Sequence, residues 1–232
     1  MNNVKTFRFP AVAFDLDGTL YPDFGFYRQL IPFLLKESKF LRAFGKARDR
    51  LRREPKLPES ASFYRVQAQY ISEILGQDPV LIEEKTEREI YRGWEPLFKK
   101  VRLYSHVKET LLAFRENNIR LGLLSDFPPE KKLENLGISG LWDAILCSEE
   151  IGRLKPDVLP FNELAKTMGF PPDVILYVGN SFSYDVTGAQ KAGFKAAWIR
   201  PKGAYLFPDY KRERKADFVF FDYRQLRKFV LT

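Results

Sequence analysis

The chain has 232 residues, of which 45% are hydrophobic and 29% are charged, as in a globular protein with a substantial core. No apolar run approaches the roughly 18 residues that a membrane-spanning helix needs, so we expect no membrane partner. The first 14 residues contain no apolar segment ending at a small-residue cleavage site, which argues against a signal peptide. The single cysteine, Cys147, excludes an internal disulfide, and its apolar neighbours predict a buried thiol. These features together predict a cytoplasmic protein.

The formal net charge is +8, and two basic segments could account for it. Residues 46–56 and residues 200–215 each contain six basic and two acidic side chains. The first segment predicts the polar face of a helix and the second a surface loop. Neither contains a nucleic-acid-binding motif, so no nucleic-acid partner is expected. A solvated basic surface, or long-range attraction of an anionic substrate, is the favoured interpretation.

Short apolar runs that recur along the chain predict six β-strands. They lie at residues 10–14, 120–124, 144–147, 174–178, 196–199 and 218–221. Helical patterns follow most of them, at residues 107–117, 129–136, 159–168, 185–192 and 223–231. Most of the runs are continuously apolar, which is typical of strands buried on both faces. Strands that alternate with helices predict an α/β fold with a doubly wound parallel sheet.

Residues 21–100 interrupt this alternation because they contain no convincing strand pattern. The segment is rich in Leu, Phe, Tyr and Arg, and Pro55, Pro58 and Pro79 predict breaks between helices. We therefore predict a helical cap at residues 21–100, inserted into a catalytic core formed by residues 1–20 and 101–232. Four aromatic side chains at the start of the cap could contact a planar or apolar leaving group or simply pack within the cap: Tyr21, Phe24, Phe26 and Tyr27.

Two aspartates follow the first predicted strand directly, in the sequence DLDGTL at residues 15–20. Asp15 and Asp17 lie where the chain leaves the carboxyl end of a strand, which is where ligands bind in open α/β sheets. Two carboxylates this close repel each other, so one tends to hold a proton that the other lacks. That asymmetry is what a nucleophile and a general acid require.

Further polar residues follow the other predicted strands. Ser125 and Asp126 come after residues 120–124, and Asn180 and Asp185 come after residues 174–178. Lys155 precedes a predicted helix. Each has a structural alternative, since these residues could cap helices or lie exposed in loops. Their occurrence in order at strand ends favours convergence at one edge of the sheet.

These motifs, in this order, resemble the haloacid dehalogenase superfamily of phosphotransferases. The resemblance is carried by DLDGTL, by a strand ending in Ser125, by Lys155-Pro156 and by VGNSFSYDVTGAQKAG at residues 178–193. It covers the predicted core, and the position of residues 21–100 resembles the helical cap of that superfamily's first cap class. By this resemblance Asp15 is the nucleophile that forms an aspartyl-phosphate, and Asp17 is the acid/base.

The resemblance also implies how phosphate and metal are bound. The implied phosphate-binding residues are Gly18, Ser125, Asp126 and Lys155, with Lys155 offsetting negative charge. Mg²⁺ is the implied cofactor, and its implied ligands are Asp15, the backbone carbonyl of Asp17, Asn180 and Asp185. The family pattern usually has Asp where this chain has Asn180, so we predict a weakened metal site.

The leading hypothesis is a Mg²⁺-dependent phosphatase that acts on a small soluble phosphomonoester. A 2-haloacid dehalogenase is an alternative because Asn180 is unusual for a phosphatase, although dehalogenases of this family generally lack the second aspartate. A binding protein of the same fold that has lost turnover is a further alternative. A Ser-His-Asp triad is disfavoured because His106 is the only histidine.

Overall fold

A computed structural model describes residues 8–54, 62–200 and 209–232. Its centre is a sheet of six parallel strands in the order β3-β2-β1-β4-β5-β6. The strands are β1 Ala11–Phe14, β2 Arg120–Ser125, β3 Ala144–Cys147, β4 Ile175–Gly179, β5 Lys195–Ile199 and β6 Phe218–Phe220. The strand order reverses at β1, so the carboxyl ends of β1, β2 and β4 form the crevice where ligands bind in such sheets.

Eleven α-helices accompany the sheet in the described part of the chain. The first four lie between β1 and β2: α1 Asp23–Lys36, α2 Ser38–Arg53, α3 Phe63–Leu75 and α4 Pro79–Thr86. The others are α5 Val107–Glu116, α6 Glu130–Leu136, α7 Ser148–Ile151, α8 Val158–Met168, α9 Thr187–Lys191, α10 Tyr210–Glu213 and α11 Tyr223–Leu231.

The predicted fold class is confirmed, since apolar clusters cover both faces of the sheet. On one face Val12 and Phe14 pack with α5 and α11 side chains, and on the other Ala11 and Ala13 pack with α8 side chains. All four side chains of β1 are fully buried, which explains why the strand is a continuous apolar run without alternation. The aspartates therefore follow a strand that is fully enclosed, as is its neighbour β4.

Two predicted elements differ from the structure. The helix predicted at residues 185–192 begins earlier, as a π-helix at Phe182–Val186 that continues into α9. Ser181 starts this turn because its Oγ accepts a hydrogen bond from the Tyr184 N–H at 3.2 Å. The surface loop predicted at residues 200–215 is wrong for its described part, where α10 forms and a buried Arg200 pairs with Glu213. Residues 201–208 of that loop lie outside the described residues.

The segment between β1 and α5 is mostly helical in the described residues 23–54 and 62–100, with short breaks that include Glu37 and residues 76–78. After α4 it continues as a π-helix at Glu87–Arg92 and a 3-10 helix at Glu95–Lys100. It has a hydrophobic cluster of its own, formed by Phe40, Ala43, Phe44, Ala47, Ala68, Ile71, Ile82 and Ile90. Its two connections to the sheet lie side by side, since the Tyr104 N–H donates to the Leu20 carbonyl at 2.9 Å. The division into a core and a cap at residues 21–100 stays a prediction.

Two of the four aromatic side chains at the start of this segment are buried and two are exposed. Phe26 stacks on Phe98 with ring centroids 4.7 Å apart, and Tyr21 meets the edge of the same ring at 5.8 Å. Phe24 and Tyr27 are 77% and 56% exposed. Tyr21 before α1 and Phe26 within α1 therefore both pack against the 3-10 helix.

Cys147 is buried, as predicted, and burial raises the pKa of its thiol to about 12. Within residues 8–54, 62–200 and 209–232, no helix has the length and apolar character needed to cross a bilayer.

Candidate active site

The centre of the site is a buried lysine between two carboxylates. Lys155 Nζ lies 2.6 Å from Asp15 Oδ1 and 2.7 Å from Asp185 Oδ1. All three residues are buried, with exposed fractions of 5% or less. Asp15 comes from the end of β1, and its backbone N–H donates to the Val178 carbonyl of β4 at 2.9 Å. The sheet therefore fixes the position of the predicted nucleophile.

Burial makes the charges at this centre interdependent. Burial, together with repulsion from Asp185, raises the pKa of Asp15 to about 8 even though Lys155 opposes the shift. Burial disfavours the charged form of Lys155, but Asp15 and Asp185 hold the pKa of its ammonium well above the usual value. Two carboxylates share one ammonium, so the centre has one uncompensated negative charge when both are ionised.

The turn after β1 brings two more groups to Asp15. The Thr19 hydroxyl donates to Asp15 Oδ2 at 2.6 Å and lies 3.5 Å from Asn180 Oδ1. Gly18 has φ +78°, and a Cβ there would lie 2.0 Å from Asn180 Nδ2. Glycine is therefore required both by the turn and by the close approach of Asn180. Thr19 was missed by the sequence reasoning, although it stands inside the DLDGTL motif.

Asp17 lies beside this centre and is held by two other side chains. Lys132 Nζ lies 2.7 Å from both carboxylate oxygens, and the Tyr21 hydroxyl donates to Oδ1. Lys132, on α6, was also missed. No spacing signal in the sequence distinguishes it from its neighbour Lys131, which is exposed and pairs with Glu134.

Ser125 ends β2 and Asp126 follows it, but the two side chains have different hydrogen-bond partners. Ser125 is fully buried, and its Oγ accepts a hydrogen bond from the Phe127 N–H at 3.2 Å. The Asp126 carboxylate accepts from Arg52 Nη2 at 3.0 Å and from the Lys155 N–H at 3.2 Å. A carboxylate repels phosphate, so a phosphate-binding role for Asp126 is restricted to its backbone.

The sequence predicted a solvated basic surface on α2. The structure differs, because basic side chains of this helix pair with acidic groups near the sheet. Arg48 is 4% exposed, and its Nη1 donates to Glu149 at the start of α7. Arg52 Nε donates to the Lys155 carbonyl at 3.1 Å. Despite burial, the cations Lys155, Arg48 and Arg52 keep the pKa of Asp126 below its usual value. These arginines therefore join the helical segment to the loops that carry Ser125 and Lys155.

Oxygen atoms around Asp15 provide a donor set suited to Mg²⁺. They are the carboxylates of Asp15 and Asp185, the amide oxygen of Asn180 and the backbone carbonyl of Asp17. Asn180 lies next to Asp15 through Thr19, and its backbone carbonyl accepts from Trp198 Nε1 at 2.8 Å. The described residues contain no group of three His, Cys, Asp or Glu side chains arranged to hold a metal. The residues fit an oxygen-ligated cation whose protein ligands include only two carboxylates.

A cavity of about 1040 Å³ extends from Asp17 into the helical segment. Lys132 and Phe127 lie on its sheet side, and Arg48 and Trp94 lie on its helical side. Asp17 therefore borders a space that both parts of the chain line.

Comparison with known proteins agrees with this geometry. The family model described as haloacid dehalogenase-like hydrolase matches residues 9–193, which include Asp15, Asp17, Ser125, Lys155 and Asp185. The chain belongs to the haloacid dehalogenase-like hydrolase family. The predicted resemblance is thereby confirmed.

Curated relatives of this hydrolase include phosphatases. A glyceraldehyde 3-phosphate phosphatase of Methanothermobacter thermautotrophicus is 32% identical over 105 residues, which cover 44% of this chain and 46% of the relative. A phosphoglycolate phosphatase of Haemophilus influenzae is 30% identical over 148 residues, which cover 62% of this chain and 65% of the relative. The matched stretches span from about half to just under two thirds of these relatives' own lengths.

Solved structures of the family share the fold. A HAD phosphatase from Thermococcus onnurineus aligns with a TM-score of 0.61 at 22% identity, covering 94% of this chain and 96% of the other. A 2-haloacid dehalogenase from Pseudomonas syringae aligns with a TM-score of 0.63 at 23% identity, again covering 94% and 96%. The shared fold includes proteins of two chemistries, so the choice between them depends on the site residues.

Proposed function

We propose that this hydrolase is a Mg²⁺-dependent phosphatase that hydrolyses small phosphomonoesters through an aspartyl-phosphate on Asp15. The observation that carries the proposal is the Asp15 carboxylate, which is held between Lys155 Nζ and Thr19 Oγ1. A second aspartate, Asp17, follows two residues later and lines the cavity. The phosphatase names of its relatives support the same reaction class.

In the first step an Asp15 carboxylate oxygen attacks phosphorus and the bond to the leaving alcohol breaks. Lys155 and the hydroxyls of Thr19 and Ser125 offset the negative charge of the phosphoryl oxygens and of the Asp15 carboxylate that approaches them. Lys155 is suited to this role because its neighbours keep it charged although it is buried.

Asp17 transfers the protons in both steps. It donates one to the leaving alcohol and then removes one from the water that hydrolyses the aspartyl-phosphate. Its contacts with Lys132 and Tyr21 fix its orientation beside Asp15. To reach the leaving oxygen, one carboxylate oxygen of Asp17 must exchange its contact with Lys132 for the substrate.

Mg²⁺ would be held by Asp15, Asp185, Asn180 and the backbone carbonyl of Asp17. It supplies the positive charge that lets a carboxylate approach a phosphate dianion. When both carboxylates of the Asp15–Lys155–Asp185 centre are ionised, one negative charge is left for a cation to balance, which supports this assignment.

The test is phosphate release from a panel of phosphomonoesters that includes phosphoglycolate and glyceraldehyde 3-phosphate, with Mg²⁺ and with a chelator. We expect Mg²⁺-dependent release that Asp15→Asn abolishes and that Asp173→Asn, at an exposed aspartate, leaves unchanged. Chloride release from a 2-haloacid in place of phosphate release would identify a dehalogenase. Release of neither phosphate nor chloride would support a binding protein.

A further inference from the structure

The outer side of α1 is apolar although it faces solvent. Five large side chains on this helix are between 40% and 80% exposed: Phe24, Tyr27, Ile31, Leu34 and Leu35. Successive residues of an α-helix turn by about 100°, so these five lie within one arc of about 100° around the helix axis. We name this arc the apolar stripe. Single exposed apolar side chains are ordinary, but a contiguous group of this size marks a binding surface.

The apolar stripe lies apart from the side of α1 that packs on the protein. Phe26 and Leu30 are buried in the hydrophobic core on that side. Tyr27 borders the cavity beside Asp17, whereas the other four residues of the stripe do not line it. The helix therefore has two apolar sides, and the described residues cover one of them. Most of the stripe belongs neither to the core nor to the cavity.

Cations without a partner border the apolar stripe. Arg28 lies one helical turn after Phe24, at the edge of the stripe. Glu37 Oε2 lies 2.7 Å from Lys85 Nζ, so this nearby carboxylate is already paired. Exposed cations that have no ion-pair partner among the described residues lie on α1, at the start of α2 and on the 3-10 helix that packs against α1: Arg28, Lys36, Lys39, Lys99 and Lys100.

This positive border distinguishes between the possible occupants of the stripe. A second copy of the chain would bring the same cations to the same face, where they would repel each other. A bilayer with anionic headgroups complements both features, because negative charge at its surface lies directly above an apolar layer. Helices with Phe and Leu on one face and flanking Lys or Arg lie in that boundary.

We propose that the apolar stripe of α1 binds the surface of a bilayer that contains anionic lipid. Phe24, Ile31 and Leu35 insert below the headgroups, and Arg28 and Lys36 contact the negative charge. The expectation of no membrane partner considered only segments that cross a bilayer, and an interfacial helix does not need to cross one. The contact goes beyond the proposed function, since it does not involve Asp15.

Sedimentation with lipid vesicles tests the proposal. One set of vesicles contains phosphatidylcholine alone, and the other contains in addition about 30% phosphatidylserine. We expect the protein to bind the second set at least about tenfold more tightly, and this binding should weaken as salt is added. Asp15→Asn should bind like the wild type, so loss of phosphatase activity and loss of vesicle binding are separate results. No preference for phosphatidylserine overturns the proposal.

A variant of the stripe separates insertion from simple attraction of a basic protein. Leu35→Gln removes an inserting side chain and should weaken binding to the phosphatidylserine vesicles by about tenfold. Leu112→Gln is the matched control, because Leu112 is also exposed but lies on α5, which packs against β2 and α11. It should leave binding unchanged. Circular dichroism establishes that both variants are folded, and equal binding by the two overturns the role of the stripe.

A pair of charge variants tests the positive border. Arg28→Gln combined with Lys36→Gln should weaken vesicle binding by about tenfold or more. Lys166→Gln combined with Lys191→Gln removes the same charge from α8 and α9, on the opposite face of the sheet, and should have a much smaller effect. Equal losses in the two double variants would show that net charge alone attracts the vesicles, which overturns the proposal.

Sedimentation velocity without lipid distinguishes the other occupants. The proposal expects a monomer in the absence of vesicles. A dimer that Leu35→Gln dissociates, together with no vesicle binding, would assign the stripe to a second copy of the chain. A monomer that binds neither set of vesicles would leave an acidic protein surface as the occupant. Either result overturns the proposal.

Discussion

Asp15 shows how the chemistry of the site opposes the stability of the fold. The nucleophilic role that we propose for Asp15 requires an ionised carboxylate, yet burial raises the pKa of this carboxyl to about 8. The ionised carboxylate is therefore unfavourable in the folded protein. Lys155, whose Nζ lies 2.6 Å from Asp15 Oδ1, reduces this cost. Active sites commonly hold such groups at the expense of stability.

This conflict predicts a pH-dependent gain in stability for Asp15→Asn in the absence of metal. The folded-state pKa lies above the ordinary value of 3.8, so the wild type loses stability as the pH rises between about 4 and 8. Asparagine does not ionise and avoids that loss. We expect the difference between the melting temperatures of the variant and the wild type to shift in favour of the variant by about 2–4 °C between pH 5 and pH 8.

Thermal unfolding in a chelating buffer at both pH values measures this difference. Asp173→Asn provides the control, since its aspartate is exposed and its effect on melting should not change with pH. If the melting temperature of Asp15→Asn relative to wild type falls between pH 5 and pH 8, ionised Asp15 does not destabilise the folded protein.

Asn180 predicts a second effect, on metal affinity. Asn180→Asp adds a negative charge next to Asp15, and a unit charge about 4 Å from a cation contributes on the order of 4 kcal/mol at an effective dielectric constant of about 20. Desolvation reduces that gain. We expect the Mg²⁺ concentration that gives half-maximal activity to fall about tenfold.

A magnesium titration of phosphate release tests this expectation. Asn118→Asp is the matched control because it adds the same charge at the opposite edge of the sheet, before β2. An unchanged Mg²⁺ requirement in Asn180→Asp would exclude Asn180 as the cause of a weak metal site.

The junction between β4 and the following π-helix places Asp185 against the sheet. Gly179, the last residue of β4, permits this approach because a Cβ there would lie 2.2 Å from the Asp185 Cβ. Asp185 in turn accepts hydrogen bonds from the Ser181 N–H at 2.9 Å and from Lys155 Nζ at 2.7 Å. The turn thus positions one of the two carboxylates that share Lys155.

Gly179→Ala should therefore disturb both stability and the site. Because the obstructing atoms belong to a buried residue at a backbone junction, we expect a loss of about 1–3 kcal/mol in the free energy of unfolding. Urea denaturation measures it. Gly45→Ala is the comparison, since no described atom lies within 4 Å of its Cβ position and alanine favours the helix interior by up to about 1 kcal/mol. Equal stabilities for the two variants would be inconsistent with this packing.

The sequence predicted the elements whose physical cause is local. Strands such as Ile175–Gly179 were found because burial on both faces requires a continuous apolar run. The convergence of Asp15 and Asp185 followed from the rule that parallel strands end at one edge, whereas Lys155 was implied by the family resemblance. Lys132 could not be found in this way, because its contact with Asp17 depends on how α6 packs. The π-helix at Phe182–Val186 was missed because Ser181 starts the turn before the apolar pattern does.

The protein as a whole carries a charge of +8, but part of its basic surface is neutralised internally. Arg48 of α2 pairs with Glu149 of α7, and Arg52 of α2 pairs with Asp126 after β2. These pairs hold the helical segment over the site. The remaining positive charge is available to attract an anionic ester over a long range.

This long-range attraction predicts a salt dependence of catalysis. We expect kcat/KM for a phosphomonoester to fall as the ionic strength rises from about 0.01 to 0.15 M, because the screening length shortens from about 30 to 8 Å. The value of kcat should stay nearly constant, since the bound substrate is shielded from the salt. Steady-state kinetics at a fixed free Mg²⁺ concentration check this, and a kcat/KM that is independent of salt would show that the surface charge does not steer the substrate.

The hydrogen bond between the Tyr104 N–H and the Leu20 carbonyl has a consequence for how this enzyme could be re-engineered. The chain departs from the sheet and rejoins it at one point, so residues 21–103 form an excursion whose ends already meet. A different helical module with closely spaced termini could be spliced in there without moving β1 or β2. Substrate selectivity could then be changed by replacing this segment, while the residues proposed for the chemistry stay in place on the sheet.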